Sequence, residues 1–117
     1  MYLGIDIGTS SVKAVLVDDS GAIVGQASDA LTVSRPQPAF SEQDPEAWWQ
    51  ATVNAVRGLP SGPRAAVRAV GLSGQMHGAT LLDDKDRPLR PAILWNDGRS
   101  ASECLELYLW DRLGCDN

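Results

Sequence analysis

At 117 residues the chain is long enough to bury a hydrophobic core and too short to hold a second full domain beside the first. Hydrophobic residues make up 44% and charged residues 21%, without a low-complexity tract, which excludes an intrinsically disordered segment. A formal net charge of −5 and the lack of any Lys/Arg cluster argue against a nucleic-acid partner, because that backbone is held mainly by clustered basic groups.

The N-terminus carries an apolar run interrupted at Asp6, with no basic leader and nothing long enough to span a bilayer, so neither export nor membrane anchoring is expected. Tyr2 to Ile7 and Val12 to Val17 are rich in β-branched and aliphatic residues. Between them, Gly8-Thr9-Ser10-Ser11 supplies the small residues of a hairpin turn. Asp18-Asp19-Ser20-Gly21 forms a second turn, and Ala22 to Val33 reads as a third strand with Ile23, Leu31 and Val33 as its apolar members. Three antiparallel strands therefore open an α/β domain.

Asp44-Pro45 is a helix start, an N-cap carboxylate followed by proline at the first helical position, and the helix should run to about Gly58. Trp48, Ala51, Ala55 and Leu59 recur on one face, with Val56 beside them, so Trp48 and its neighbour Trp49 are read as core. Pro60 to Pro63 end the helix, and Arg57, Arg64 and Arg68 around that bend read as a solvated connection. Val67 to Leu72 follows as a buried strand reached by a crossover, delivering Ser73 to Gly78 at its C-terminal end, where sites are commonly built. A hairpin-like excursion with a charged turn at Asp83 to Arg87 leads to Trp95-Asn96-Asp97-Gly98-Arg99. A last helix is expected from near Ser100 to Gly114. Cys104 and Cys115 are too few for a disulfide framework or a zinc site, and they suit a reducing cytoplasm.

Two stretches carry chemistry. Asp6-Ile7-Gly8-Thr9-Ser10-Ser11 sets a carboxylate before a turn of small hydroxylated residues. Its N–H groups and hydroxyls can donate to phosphate oxygens, and the carboxylate can hold a hydrated Mg²⁺. An ordinary hairpin would read the same way. In the second stretch, His77 is the single histidine, and neutral imidazole both donates and accepts, which suits a polyhydroxylated ligand; a lone histidine is more often structural. Gln75 adds an amide. Trp95 offers an apolar wall to a sugar ring with Asn96, Asp97 and Arg99 as polar edges, and Met76 could equally fill a gap.

Gly4-Ile5-Asp6-Ile7-Gly8-Thr9-Ser10, with Lys13 and the hydrophobic strand around it, resembles the first phosphate motif of the actin-like (ribonuclease H-like) ATPase superfamily. Ser41-Glu42-Gln43-Asp44-Pro45 with Trp48-Trp49, Gly74-Gln75-Met76-His77-Gly78, and Ala92 to Arg99 resemble, in the same order, segments of the FGGY carbohydrate kinase family and within it the xylulokinases. The match runs from Met1 to about Glu103. It implies an actin-like N-terminal domain, and residues 1–117 as part of it, with a second, adenosine-binding domain outside the chain. The implied reaction is transfer of the γ-phosphoryl group of ATP, with Mg²⁺, to the 5-hydroxyl of D-xylulose.

The resemblance assigns Asp6 to the metal and phosphates, Gly8, Thr9, Ser10 and Lys13 to the nucleotide, and Met76 and His77 to the sugar. Gln75, Trp95, Asn96 and Asp97 are further sugar-side candidates. It places the aspartate general base beyond residue 117, so the chain by itself is expected to be inactive. Sister kinases for ribulose, fuculose, rhamnulose, gluconate or glycerol share the first motif, and a non-catalytic nucleotide- or sugar-binding fragment is the reading from another class. Self-association, in its simplest form a homodimer, is expected through Leu105, Leu109 and Leu113.

Overall fold

The alternation Leu3-Ile5-Ile7 against Val12-Ala14-Leu16 puts one apolar stripe on each arm of the opening hairpin, and it is this stripe that the structure buries. The structure, a computed structural model, describes residues 1–113 and, in the last helix, side chains as far as Tyr108. Strands β1 (Tyr2–Ile7), β2 (Ser11–Val17) and β3 (Ile23–Ala30) are successive antiparallel neighbours, as expected. After β4 (Glu42–Gln43), helix α1 (Pro45–Arg57) crosses back over the sheet. A single helical turn, α2 (Ser61–Ala65), then leads into β5 (Ala69–Gly74), which pairs parallel to β1 and completes a mixed sheet in the order β3-β2-β1-β5.

Helix α1 begins where its sequence signal lies. Asp44 caps it by accepting from the Glu46 N–H at 3.0 Å, with Pro45 at the first helical position. Ala51 and Ala55 are small, so the helix lies close over β2 and β3 and, with Leu59, seals the stripe of Leu3, Ile5, Val12, Ala14 and Leu16. The approach is tight at Gly25, where a Cβ would meet Pro60 Cδ at 2.7 Å.

A second, two-stranded sheet pairs β4 with β6 (Ala92–Ile93), matching Glu42 to Ile93 and Gln43 to Ala92. It was not legible from strand signals, because two-residue strands carry no periodicity. The excursion from Ala79 to Leu89 is hairpin-like, with bridges Ala79↔Ile93 and Leu82↔Pro88. Its turn is built on Asp83, whose carboxylate accepts from the N–H of Lys85 and Arg87 at 2.8 and 2.9 Å. Helix α3 (Ala101–Leu113) closes the described chain, and residues 101–108 are all exposed. The expected stop at Gly114, Cys115, and the side chains of Leu109 and Leu113 lie outside the described residues. No helix among the described residues is long and apolar enough to cross a membrane.

Four expectations are corrected. The third strand ends at Ala30, leaving Leu31 and Val33 beyond it: the Leu31 N–H on the Ser10 carbonyl at 2.9 Å is the last bond of the β2–β3 ladder, and among the described residues no Ser10 N–H bond carries it further. Strand β5 is exposed throughout, since α1 covers β2 and β3 and leaves this edge open on both faces. Trp49 points outward and is 63% exposed, whereas Trp48 is half-buried and its indole N–H donates to Gln43 Oε1 at 2.9 Å. Arg64 is not merely solvated: its guanidinium donates to the Val56 and Arg57 carbonyls at 3.0 and 2.7 Å, satisfying the C-terminal end of α1.

Candidate functional site

Asp6 and Lys13 are register partners on β1 and β2, and Ser73 of β5 pairs with Asp6 on the other side. All three stand on the sheet face opposite α1, where they line an open cavity of about 810 Å³ together with Gly4, Gln26 and Ser28. One residue further along, the chain turns through Gly8, Thr9 and Ser10, closed by the Gly8 N–H on the Ser11 carbonyl at 3.0 Å. A Cβ at Gly8 would sit 3.1 Å from that carbonyl oxygen, so any other residue would push the turn open by a few tenths of an ångström.

Among the described residues, neither the Thr9 nor the Ser10 N–H has a hydrogen-bond partner. Two free adjacent N–H groups beside an exposed carboxylate and an ammonium match a polyphosphate with a hydrated Mg²⁺, which takes one carboxylate and keeps its remaining waters. Clusters of three or more His, Cys, Asp or Glu side chains able to hold a metal are absent among the described residues, so a metal here would rely on Asp6 and a ligand's own oxygens. The Thr9 hydroxyl, a candidate phosphate donor by residue type, is otherwise engaged. It donates to Gln75 Oε1 at 2.9 Å and accepts from Trp95 Nε1 at 3.1 Å.

That pair of bonds joins the two candidate stretches. The Gln75 N–H donates to the Ile7 carbonyl at 2.9 Å, and Ala79 exchanges two bonds with Ile93 at 2.8 and 2.9 Å. Met76-His77-Gly78 is therefore an arch fixed at both ends. Its tip is backbone-strained: His77 has φ 62°, a left-handed conformation that non-glycine residues adopt mainly where the surroundings impose it. Gly78 sits so close to the Ile93 carbonyl oxygen that a Cβ would lie 3.1 Å from it. Met76 and His77 are exposed at this tip, Met76 by 70%, so neither is part of the core. Trp95 and Asn96 form the corner of a turn closed by the Asp97 N–H on the Leu94 carbonyl at 3.1 Å, and both are exposed.

Asp97 differs from its neighbours. Its carboxylate is 2% exposed and accepts from the Ser41 N–H at 2.6 Å, the Arg99 N–H at 3.0 Å and the Arg99 guanidinium at 2.8 and 2.7 Å. The Arg99 guanidinium and these N–H donors hold it well below the usual carboxylate range, and Asp97 raises Arg99 in turn. With both oxygens accepting from protein donors, Asp97 fixes the corner that carries Trp95. Arg99 also bonds Glu42 at 2.7 Å and stacks 3.7 Å over Phe40, while Arg90 reaches the same Glu42 oxygen at 2.6 Å.

Sequence reasoning assigned no role to Gln43, the residue on which these parts converge. It is 2% exposed and every polar atom of its amide is used. Nε2 donates to the Thr9 carbonyl at 2.7 Å and to the Thr32 carbonyl at 3.4 Å, while Oε1 accepts from Trp48 Nε1 at 2.9 Å and Gln75 Nε2 at 3.0 Å. Its sequence signals were its place in the Ser41–Pro45 segment that carries the family resemblance and a run of three polar residues, Ser41-Glu42-Gln43, ahead of a helix cap, neither of which marks burial. All three prove to be buried.

Residues 1–111 match the FGGY family of carbohydrate kinases, N-terminal domain. The xylulose kinase of Escherichia coli is 58% identical over 105 residues, covering 89% of this chain and 22% of that protein. Among solved structures, a "xyloylose kinase" from Brucella ovis superposes with TM-score 0.88 at 54% identity, covering 91% of this chain and 23% of the other. The xylulose kinase from Rhodospirillum rubrum superposes with TM-score 0.84 at 34% identity, covering 92% and 22%. The chain thus spans about a fifth of the length of the relatives it matches.

Proposed function

The chain belongs to the FGGY family of carbohydrate kinases, with their actin-like fold, and from that premise we propose that the whole protein transfers the γ-phosphoryl group of ATP to the 5-hydroxyl of D-xylulose. The observation that carries this reading is the direct bonding of the phosphate turn to the sugar-side residues, Thr9 to Gln75 and Trp95 to Thr9. Phosphoryl transfer depends chiefly on holding two substrates in line, and here the two half-sites share side chains.

In this reading the Thr9 and Ser10 N–H groups and Lys13 bind the nucleotide phosphates, and Asp6 holds the magnesium. The metal supplies neutralisation of charge on the phosphate oxygens. Met76 and His77 receive the sugar against Trp95, with Gln75 and Asn96 at its edges and Asp97 fixing the turn. Residues 1–117 are then part of the N-terminal domain, and the adenosine-binding domain and the aspartate base belong to sequence outside them. ATP as a co-substrate makes the cytoplasm the fitting compartment.

The test is a coupled assay of ADP release by the full-length protein on D-xylulose, D-ribulose and glycerol. Preference for D-xylulose is expected. With His77→Ala, the D-xylulose KM should rise about tenfold or more while that for ATP is unchanged, as a sugar hydroxyl loses its partner. Equal weakening of both substrates would mark His77 as structural, and preference for ribulose or glycerol would replace the sugar assignment.

A further inference from the structure

We propose that Gln43 is a positioning residue that sets the phosphate turn and the sugar arch from one buried amide, an inference that rests on the kinase reading above. Gln43 is too deeply buried to touch either substrate, so it acts through Thr9 on one side and Gln75 on the other. The Thr9 carbonyl is held by Gln43 Nε2 at 2.7 Å. Across a trans peptide the next N–H points opposite to that carbonyl, so this bond aims the Ser10 N–H away from the interior, where it is free to donate to a phosphate oxygen. At the other end of the same amide, Oε1 accepts from Gln75 Nε2 at 3.0 Å, which turns Gln75 Oε1 to the Thr9 hydroxyl and fixes the residue that anchors the arch.

The amide itself is held in place. Trp48 Nε1 occupies the second site on Oε1, and the backbone of Gln43 is paired with Ala92 in the small sheet. An amide is the side chain this position requires, because it must donate to a carbonyl and accept from an N–H at once. A half-satisfied network buried this deeply would cost more than an apolar one, so every member depends on the others.

The substitutions separate the two arms. In the full-length protein, Gln43→Glu retains acceptors for Trp48 and Gln75 and removes the donor to Thr9. Nucleotide affinity, measured by calorimetry without sugar, should fall about tenfold while sugar affinity stays within about twofold. Gln43→Ala cuts both arms, and both affinities should fall together with a drop of about 100-fold in kcat, the scale of an ångström-level misplacement. A purely structural glutamine would lower the unfolding midpoint and leave kcat and both affinities of the folded enzyme unchanged, which overturns the proposal. If the Gln43 variants do not fold, Trp48→Phe decides: it keeps an aromatic ring and removes one donor to Gln43. Both affinities should shift in the same direction by a smaller factor, and unchanged affinities overturn the proposal. Absence of turnover on D-xylulose in the unaltered protein overturns the sugar assignment alone, since the nucleotide measurement uses no sugar.

Discussion

Asp6 is exposed at the end of β1, and no protein group among the described residues bonds its carboxylate. A carboxylate with no structural employment can be changed without unfolding its strand. If Asp6 holds the metal as proposed above, Asp6→Asn in the full-length protein should therefore lower kcat by about 100-fold or more, through loss of that charge, while sugar affinity and the unfolding curve stay put. A near-normal kcat would remove Asp6 from the site. Residues of this kind can be named as candidates from the sequence because their chemistry is written in their type: a carboxylate before a glycine turn, a histidine beside an amide. The roles of Asp97 and Gln43 were not legible there, since they come from partners far along the chain, Ser41 for the first and Thr9, Thr32 and Gln75 for the second. Nothing local distinguishes a glutamine that will be buried with four bonds from one left in water.

At the level of elements, the small β4–β6 sheet carries the charged cluster that fixes the turn beneath Trp95. Asp97 and Glu42 are both held below their ordinary values of 3.8 and 4.5, Asp97 chiefly by the Arg99 guanidinium, and Glu42 by Arg99 first and Arg90 second. A depressed folded-state pKa contributes stability that is present above the unfolded value and is lost as pH falls through the folded one. Stability should thus decline as pH drops below about 4.5 and go on declining in stronger acid. Asp97→Asn puts an amide N–H among donors, so the variant should be less stable at neutral pH, and its deficit should shrink on acidification. Urea unfolding of both proteins across that range checks this, and a deficit independent of pH would detach Asp97 from the effect. The long elements were foreseen from period and caps, as in the hairpin stripe and the Asp44-Pro45 helix start. What escaped was the placement of elements: whether β5 would be covered, and that Glu42 and Gln43 would pair with Ile93 and Ala92 far along the chain, depend on tertiary docking that no local period encodes.

At the scale of the whole molecule, the sheet is covered among the described residues on one side only, and only over part of its width. Val70 and Leu72 lie on the same face as the Leu3–Ile5 stripe, being their register partners, yet they are 55% and 76% exposed because α1 does not extend over β5. Leu81 and Leu89 of the excursion, and Leu105 and Leu107 of α3, are exposed as well. Apolar surface on this scale is unfavourable in water and is relieved by whatever apolar surface is available. Residues 1–117 expressed alone should accordingly unfold cooperatively, since the core of Leu3, Ile5, Val12, Ala14 and Leu16 is sealed by α1 within the chain. They should also associate as concentration rises. Turnover is not expected, because the free N–H groups and Lys13 can hold phosphates only weakly without a closed cleft around both substrates. Sedimentation over a concentration series, circular dichroism during urea unfolding and ADP release with and without D-xylulose test the three statements on one sample. Leu72→Ser, at an exposed site on the uncovered edge, should weaken association and leave the unfolding midpoint nearly unchanged. A chain that stays monomeric at high concentration would show that the open edge of β5 is tolerated, and sugar-dependent ADP release would bring the catalytic base inside residues 1–117.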